Sequence, residues 1–96
     1  MLRLSLIVAT YNRSASLINA LESVAQQNAP ASEWECIVIN NNSSDDTPER
    51  FAEFAAAHPD LNMRMVTELR QGLSFARNRG IRESEAEYIA DRKSVV

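Results

Sequence analysis

With 96 residues the chain is long enough for one small domain and no more. Its 45% hydrophobic and 24% charged residues are those of an ordinary globular protein. Its net charge of −3 leaves no basic footprint for nucleic acid or for an anionic membrane surface. No apolar run approaches the ~18 residues of a membrane span. The run at residues 4–9 is too short for a signal-peptide core, so the expectation is a cytoplasmic chain without a membrane span. Cys36 is the single cysteine, which excludes a disulfide framework and cysteine-based metal spacing. Inside an apolar run it is expected to be a buried, inert thiol.

In chain order, residues 4–9 (LSLIVA) read as a strand buried on both faces towards its end. Thr10-Tyr11-Asn12-Arg13 is a polar turn, and Ser14 or Asn12 is placed to cap the helix that follows. There Leu17, Leu21, Val24 and Ala25 form one apolar face at helical period, and Asn28-Ala29-Pro30 ends it. Residues 34–39 (WECIVI) are the second strand, which gives way abruptly to the small polar run at residues 40–47. A second helix starts near Thr47 with Pro48 at its first position, where the missing N–H costs nothing. Phe51, Phe54, Ala55 and His58 form its inward face, and Pro59 stops it. His58, at the helix end, is expected to interact with the helix dipole. Residues 62–67 (NMRMVT) alternate as a third strand near a sheet edge. Gln71-Gly72 marks a turn, and a third helix runs from about Ser74 to Glu83, where Gly80 implies close approach to the sheet. Residues 87–90 (EYIA) open a fourth strand. The alternation of strand and helix predicts a three-layer α/β fold: a mostly parallel sheet of three to four strands with helices on both faces.

The end departs from this pattern. A buried parallel strand should continue apolar, yet Ala90 is followed by Asp91-Arg92-Lys93. Residues 1–90 therefore read as the domain and residues 91–96 as an atypical tail, the expectation being a truncated or frame-shifted end.

The chemistry lies in the turns. The chain has only two glycines, and the first strand-to-helix turn contains neither, which excludes the glycine fingerprint of dinucleotide folds and the phosphate loop of nucleotide hydrolases. No pair of His or Cys is spaced for zinc. Three polar segments remain: residues 10–13, 40–46 and 71–78. In a parallel sheet they lie at one edge, where ligands bind. Tyr11 can supply an aromatic face for a base, Asn40 both a donor and an acceptor, and Arg77 a guanidinium matched to a diphosphate. Each also has a plain reading. Tyr11 can simply cover the sheet edge, Asn and Ser are common turn formers, Asp45 and Asp46 complement a helix N-terminus, and Arg77 can be a solvated helix residue.

Taken in order, SLIVATYNR (residues 5–13), ECIVINNNSSDDT (35–47), QGLSFARNRGI (71–81) and EAEYIA (85–90) resemble the N-terminal part of a family 2 glycosyltransferase. The resemblance implies the nucleotide-binding half of a GT-A fold and inverting transfer of a sugar from a nucleotide-diphosphate donor, UDP-type favoured, to an acceptor hydroxyl. It also implies a divalent Mg or Mn ion. Thr10, Tyr11, Asn12, Asn40, Asn42, Ser43 and Arg77 are the nucleotide-binding residues that it implies. Asn40 departs from the aspartate common in the family, and Asp91 comes too early for the family's Asp-x-Asp metal motif. On this reading the metal site and the catalytic base are missing, and the 96-residue chain itself is inactive. The rival readings are a non-catalytic nucleotide-binding or interaction module of doubly wound type and a sugar nucleotidyltransferase, the latter disfavoured by the glycine-free first turn.

Overall fold

A computed structural model describes residues 2–26, 32–86 and 88–91. Four strands and three helices alternate: β1 Leu4–Thr10, α1 Ser14–Ala25, β2 Trp34–Asn40, α2 Thr47–Ala57, β3 Met63–Thr67, α3 Leu73–Glu83 and β4 Tyr88–Asp91. The strands form one sheet in the order β3-β2-β1-β4, and every pairing is parallel. The α/β reading holds, with element limits differing from the expected ones by about a residue. β4 extends through Asp91, which pairs with Ile7. The tail at residues 92–96 lies outside the described residues, as does the Asn28-Ala29-Pro30 segment expected to end α1.

The two central strands carry the core because both of their faces are covered. Successive side chains of a strand point to opposite faces, and the two apolar clusters divide on that alternation. Val8, Cys36 and Val38 pack with Trp34 against Leu17, Leu21 and Val24 of α1 and Phe51 and Phe54 of α2. Ile7, Ala9, Ile37 and Ile39 face the other way, against Ala76 of α3. This gives the three layers: α1 and α2, the sheet, then α3. The Cys36 thiol is buried in the first of these clusters. β3, as expected, is an edge strand and is only half-buried along most of its length.

α3 reaches the sheet by a different route from the other helices. Its inward residues are small, Ala76 and Gly80. A Cβ at Gly80 would sit 2.6 Å from Ile7 Cγ2, closer than side-chain atoms pack, so glycine is what lets the helix lie this near β1. At the far end of α2, His58 stacks on Phe54 with ring centroids 4.1 Å apart, and its Nδ1 lies 3.0 Å from the Phe54 carbonyl oxygen. His58 thus meets a carbonyl of the last turn of α2.

The amino end of the sheet holds a polar network beneath α3. Glu35 is 1% exposed. It accepts hydrogen bonds from Ser5 Oγ, from Arg64 Nη1 at 2.6 Å and from the Glu85 N–H at 2.9 Å. Arg64 also donates to the Glu83 carbonyl, and Ser84 Oγ donates to Ser5 Oγ at 2.7 Å. Burial acts to raise the Glu35 pKa, but the bonds from Ser5, Glu85 and Arg64 outweigh it and hold the carboxyl below its ordinary 4.5. The network thereby fixes the end of α3 and its passage into β4.

Candidate functional site

At the opposite, carboxyl end of the sheet, Thr10 and Asn40 pair in register as the last residues of β1 and β2. The turns that leave these strands are tied together by short polar side chains. Asn12 Oδ1 accepts the N–H of Ser44 at 2.7 Å and of Asp45 at 3.2 Å, and the Asn12 N–H donates to Ser43 Oγ at 3.0 Å. The chain turns back here with Asn12 at φ +48°, a left-handed conformation that asparagine tolerates better than most residues.

Helix capping at this edge differs from the sequence-based expectation. Neither Asn12 nor Ser14 caps α1, whose cap position is Arg13 and carries no side-chain cap. The Ser14 N–H instead donates across to Asp45 Oδ2 at 3.3 Å, and Ser14 Oγ donates to Asp46 Oδ1 at 2.6 Å. Asp45 Oδ1 also accepts the N–H of Thr47, the first residue of α2, at 3.1 Å and bonds its hydroxyl. One carboxylate thus serves the amino ends of two helices, where both dipoles favour negative charge. The Thr47 hydroxyl, with the Thr47 and Ser14 N–H groups, outweighs a burial effect and holds the Asp45 carboxyl below its ordinary 3.8.

Asn41 ties the second turn to the third. Its Nδ2 donates to the carbonyls of Glu68 at 3.1 Å and Arg70 at 2.7 Å, and its Oδ1 accepts the Gly72 N–H at 3.0 Å. Gln71 Nε2 donates back to the Asn41 carbonyl at 2.8 Å. Gly72 stands at φ +134°, which an L side chain rarely adopts, so the entry to α3 needs glycine. Asn41 is buried with its amide fully engaged. The sequence reading passed it over, because nothing in a run of three asparagines marks the middle one.

Glu68 was also unanticipated. It follows β3, is buried, and lies among Arg70 at 3.2 Å, Arg82 at 3.6 Å and Arg79 at 3.8 Å. Hydrogen bonds from the Arg70 side chain and N–H, with the charges of Arg70 and Arg79, hold its carboxyl down at about 2. Arg70 also lies over the Phe75 ring, 4.7 Å from its centroid, a cation–π contact.

Of the residues expected from the sequence to bind nucleotide, Thr10, Asn12, Asn40, Asn42 and Ser43 fall in one patch. The Asn41 N–H donates to the Thr10 carbonyl, and the Asn42 N–H to the Asn40 carbonyl, each at 2.9 Å. Asn40 Oδ1 accepts the Ser43 N–H at 2.9 Å. Tyr11 adjoins the patch in the chain and is 39% exposed. Arg77 borders a different space, a cavity of about 170 Å³ lined with Ile7, Ile81 and Ile89 on the α3 side. Among the described residues no group of three or more His, Cys, Asp or Glu is placed to hold a metal ion.

A parallel sheet covered by helices on both faces, with polar turns gathered at its carboxyl edge, defines an open α/β domain of the ligand-binding class. Within that class the assignment is specific. Residues 5–90 match the model of the family described as Glycosyl transferase family 2, and the chain belongs to that family. It is similar to the glycosyltransferase AglE of Haloferax volcanii, with 33% identity over 86 residues, 90% of this chain and 28% of that protein. Its fold matches a mannosyltransferase, PcManGT from Pyrobaculum calidifontis, in complex with GDP-Man and Mn²⁺. The TM-score is 0.86 at 32% identity, covering 93% of this chain and 27% of that one. It also matches S. aureus TarS 1-349 in complex with UDP, with TM-score 0.80 and 28% identity over 94% of this chain and 27% of that one. The chain therefore spans about a quarter of the length of these relatives.

Proposed function

We propose that the whole protein transfers a glycosyl group from a nucleoside-diphosphate sugar to an acceptor hydroxyl with inversion, and that these residues form the half of the site that holds the nucleotide. The observation that carries this reading is the agreement of sequence and fold: a family match over residues 5–90 and a TM-score of 0.86 to a glycosyltransferase in complex with GDP-Man.

Such a reaction needs a grip on the donor, relief of the charge on the departing diphosphate, and a base for the acceptor hydroxyl. This chain supplies groups for the first need. The exposed Tyr11 ring offers a flat apolar face on which a base can stack. Thr10, Asn12, Asn40, Asn42 and Ser43 form the polar wall beside it. Arg77, on α3, has the planar donor fork suited to a diphosphate. A divalent ion, when bound, would neutralise the leaving diphosphate. Among the described residues no group of three or more His, Cys, Asp or Glu is placed to hold one.

Calorimetric titration of the purified chain with UDP, CDP and GDP, each with and without Mn²⁺, tests the proposal. The expected result is weak binding of at least one nucleoside diphosphate that is the same with and without the metal. Heat changes indistinguishable from dilution for all of them would overturn it.

A further inference from the structure

We infer that the cleft between the last turns of α1 and α2 binds the guanidinium group of an arginine side chain on a partner protein. The cleft lies at the amino end of the sheet, opposite the nucleotide edge, and does not depend on the nucleotide reading.

The topology brings the two helix ends together. Because β1, β2 and β3 are parallel, each helix between them must carry the chain back to the amino end of the sheet, so α1 and α2 both finish there. On α1, Glu22, Ala25 and Gln26 are spaced by three and four residues and share one side of the helix. On α2, Phe54 and His58 are spaced by four and do the same. These five residues line a cavity of about 470 Å³.

Each polar side chain of that lining can accept a hydrogen bond, and none is a Lys or Arg. Glu22 and Gln26 are exposed, and neither side chain has a hydrogen-bond or ion-pair partner among the described residues. His58 Nδ1 lies 3.0 Å from the Phe54 carbonyl oxygen, which can only accept, so Nδ1 carries the hydrogen. In the neutral ring Nε2 then keeps its lone pair, and it has no partner among the described residues.

The helices add to this polarity. The carboxyl end of a helix is the negative end of its dipole, where basic side chains are favoured. Neither α1 nor α2 has a Lys or Arg in its last turn, and Glu22 sets a full negative charge in that of α1. Residues 27–31, which follow α1, contain no Lys or Arg either. Neither helix, nor the segment after α1, thus brings a cation to this negative end.

The rings select the kind of cation. Phe54 and His58 stack with centroids 4.1 Å apart and planes 21° apart. A guanidinium stacks on such faces and carries five N–H donors in a planar fork, whereas an ammonium is a point charge with three. The Glu22 carboxylate can take two of those N–H groups side by side, with Gln26 and Nε2 as further acceptors. Free arginine would bring its α-carboxylate against the same negative helix ends, which favours an arginine within a polypeptide.

NMR titration of the full 96-residue chain tests this, with acetyl-Gly-Arg-Gly-amide as the probe. Weak, saturable shifts should centre on residues 22–26 and 54–58. The same peptide with citrulline, alike in shape but uncharged, should bind about fivefold more weakly, the upper effect of an exposed ion pair. Glu22→Gln, at an exposed position where the fold is retained, should weaken the arginine peptide by a similar factor and leave the spectrum outside the cleft unchanged. The lysine peptide and free L-arginine should both bind more weakly than the arginine peptide. Equal binding of the citrulline peptide, an affinity unmoved by Glu22→Gln, or binding of the lysine peptide or of L-arginine as tight as that of the arginine peptide would each overturn the inference.

Discussion

The two faces of the sheet are held by different physics. Towards α1 and α2 the contacts are apolar, with Leu17, Leu21, Val24, Phe51 and Phe54 closing over Val8, Cys36 and Val38. Towards α3 the apolar cluster is small, and the helix is fixed by close approach at Gly80 and by buried charge at both ends of the layer. Glu35 and Arg64 act at the amino end of the sheet, and Glu68 with Arg70, Arg79 and Arg82 beyond β3. Apolar burial is non-directional and insensitive to pH, whereas these carboxylates depend on charge and alignment. The contacts that fix α3 should therefore respond to acid, and the apolar packing under α1 and α2 should not.

The largest break in this comparison is expected on the apolar face. Leu21 is fully buried in α1, and Leu21→Ala removes side-chain volume that its neighbours can refill only in part. The expected loss is about 2–5 kcal/mol of unfolding free energy, with the same decrement at pH 7 and pH 5 in urea titrations. A decrement that changed with pH would blur the distinction between the faces.

Glu35→Ala should come next, on the α3 face. It leaves Ser5 and the Glu85 N–H without an acceptor and Arg64 without its ion pair. The Arg64 side chain is 37% exposed and can turn to water, so the loss should fall below that of a fully enclosed pair, at about 2 kcal/mol. Hydrogen exchange should show it as loosening of the end of α3 and of β4, with β1 and β2 still protected.

The smallest effect concerns pH. Glu35 and Glu68, on the α3 side, both have carboxyls depressed in the folded chain, Glu68 to about 2. A depressed folded pKa gives stability that is fully present above the unfolded value and is lost as pH falls through the folded one. The Tm should thus be level above about pH 5 and fall progressively as pH drops from about 4.5 towards 2. A Tm unchanged down to pH 3 would remove these carboxylates from the account of the α3 face.

Much of the fold was legible because its signals are local. The run Cys36-Ile37-Val38-Ile39 is too apolar for a one-sided strand, and it proves covered on both faces. Pro48 stands in the first turn of α2, and Gly80 lies where α3 touches β1. The candidate site was legible as a gathering of polar turns but not in its wiring. Asn12 looked like a cap for α1, yet it bonds residues 31 to 33 positions away, and the N–H of Ser14, the first residue of α1, donates to Asp45. Nothing in the sequence marks Glu35, and its partners Ser5, Arg64 and the Glu85 N–H are brought to it from three other parts of the chain.

By itself the sequence determined the order of elements, the burial of the central strands and the family, because periodicity, turn chemistry and motif order are properties of neighbouring residues. The tertiary structure alone decided which turns each asparagine ties together. Asn41 has its amide consumed by the turn after β3, while Asn40, one residue earlier, accepts the Ser43 N–H within its own turn. The physical reason is that a carboxamide's role is set by the donors and acceptors around it, and here those are brought in by parallel crossovers from distant parts of the chain.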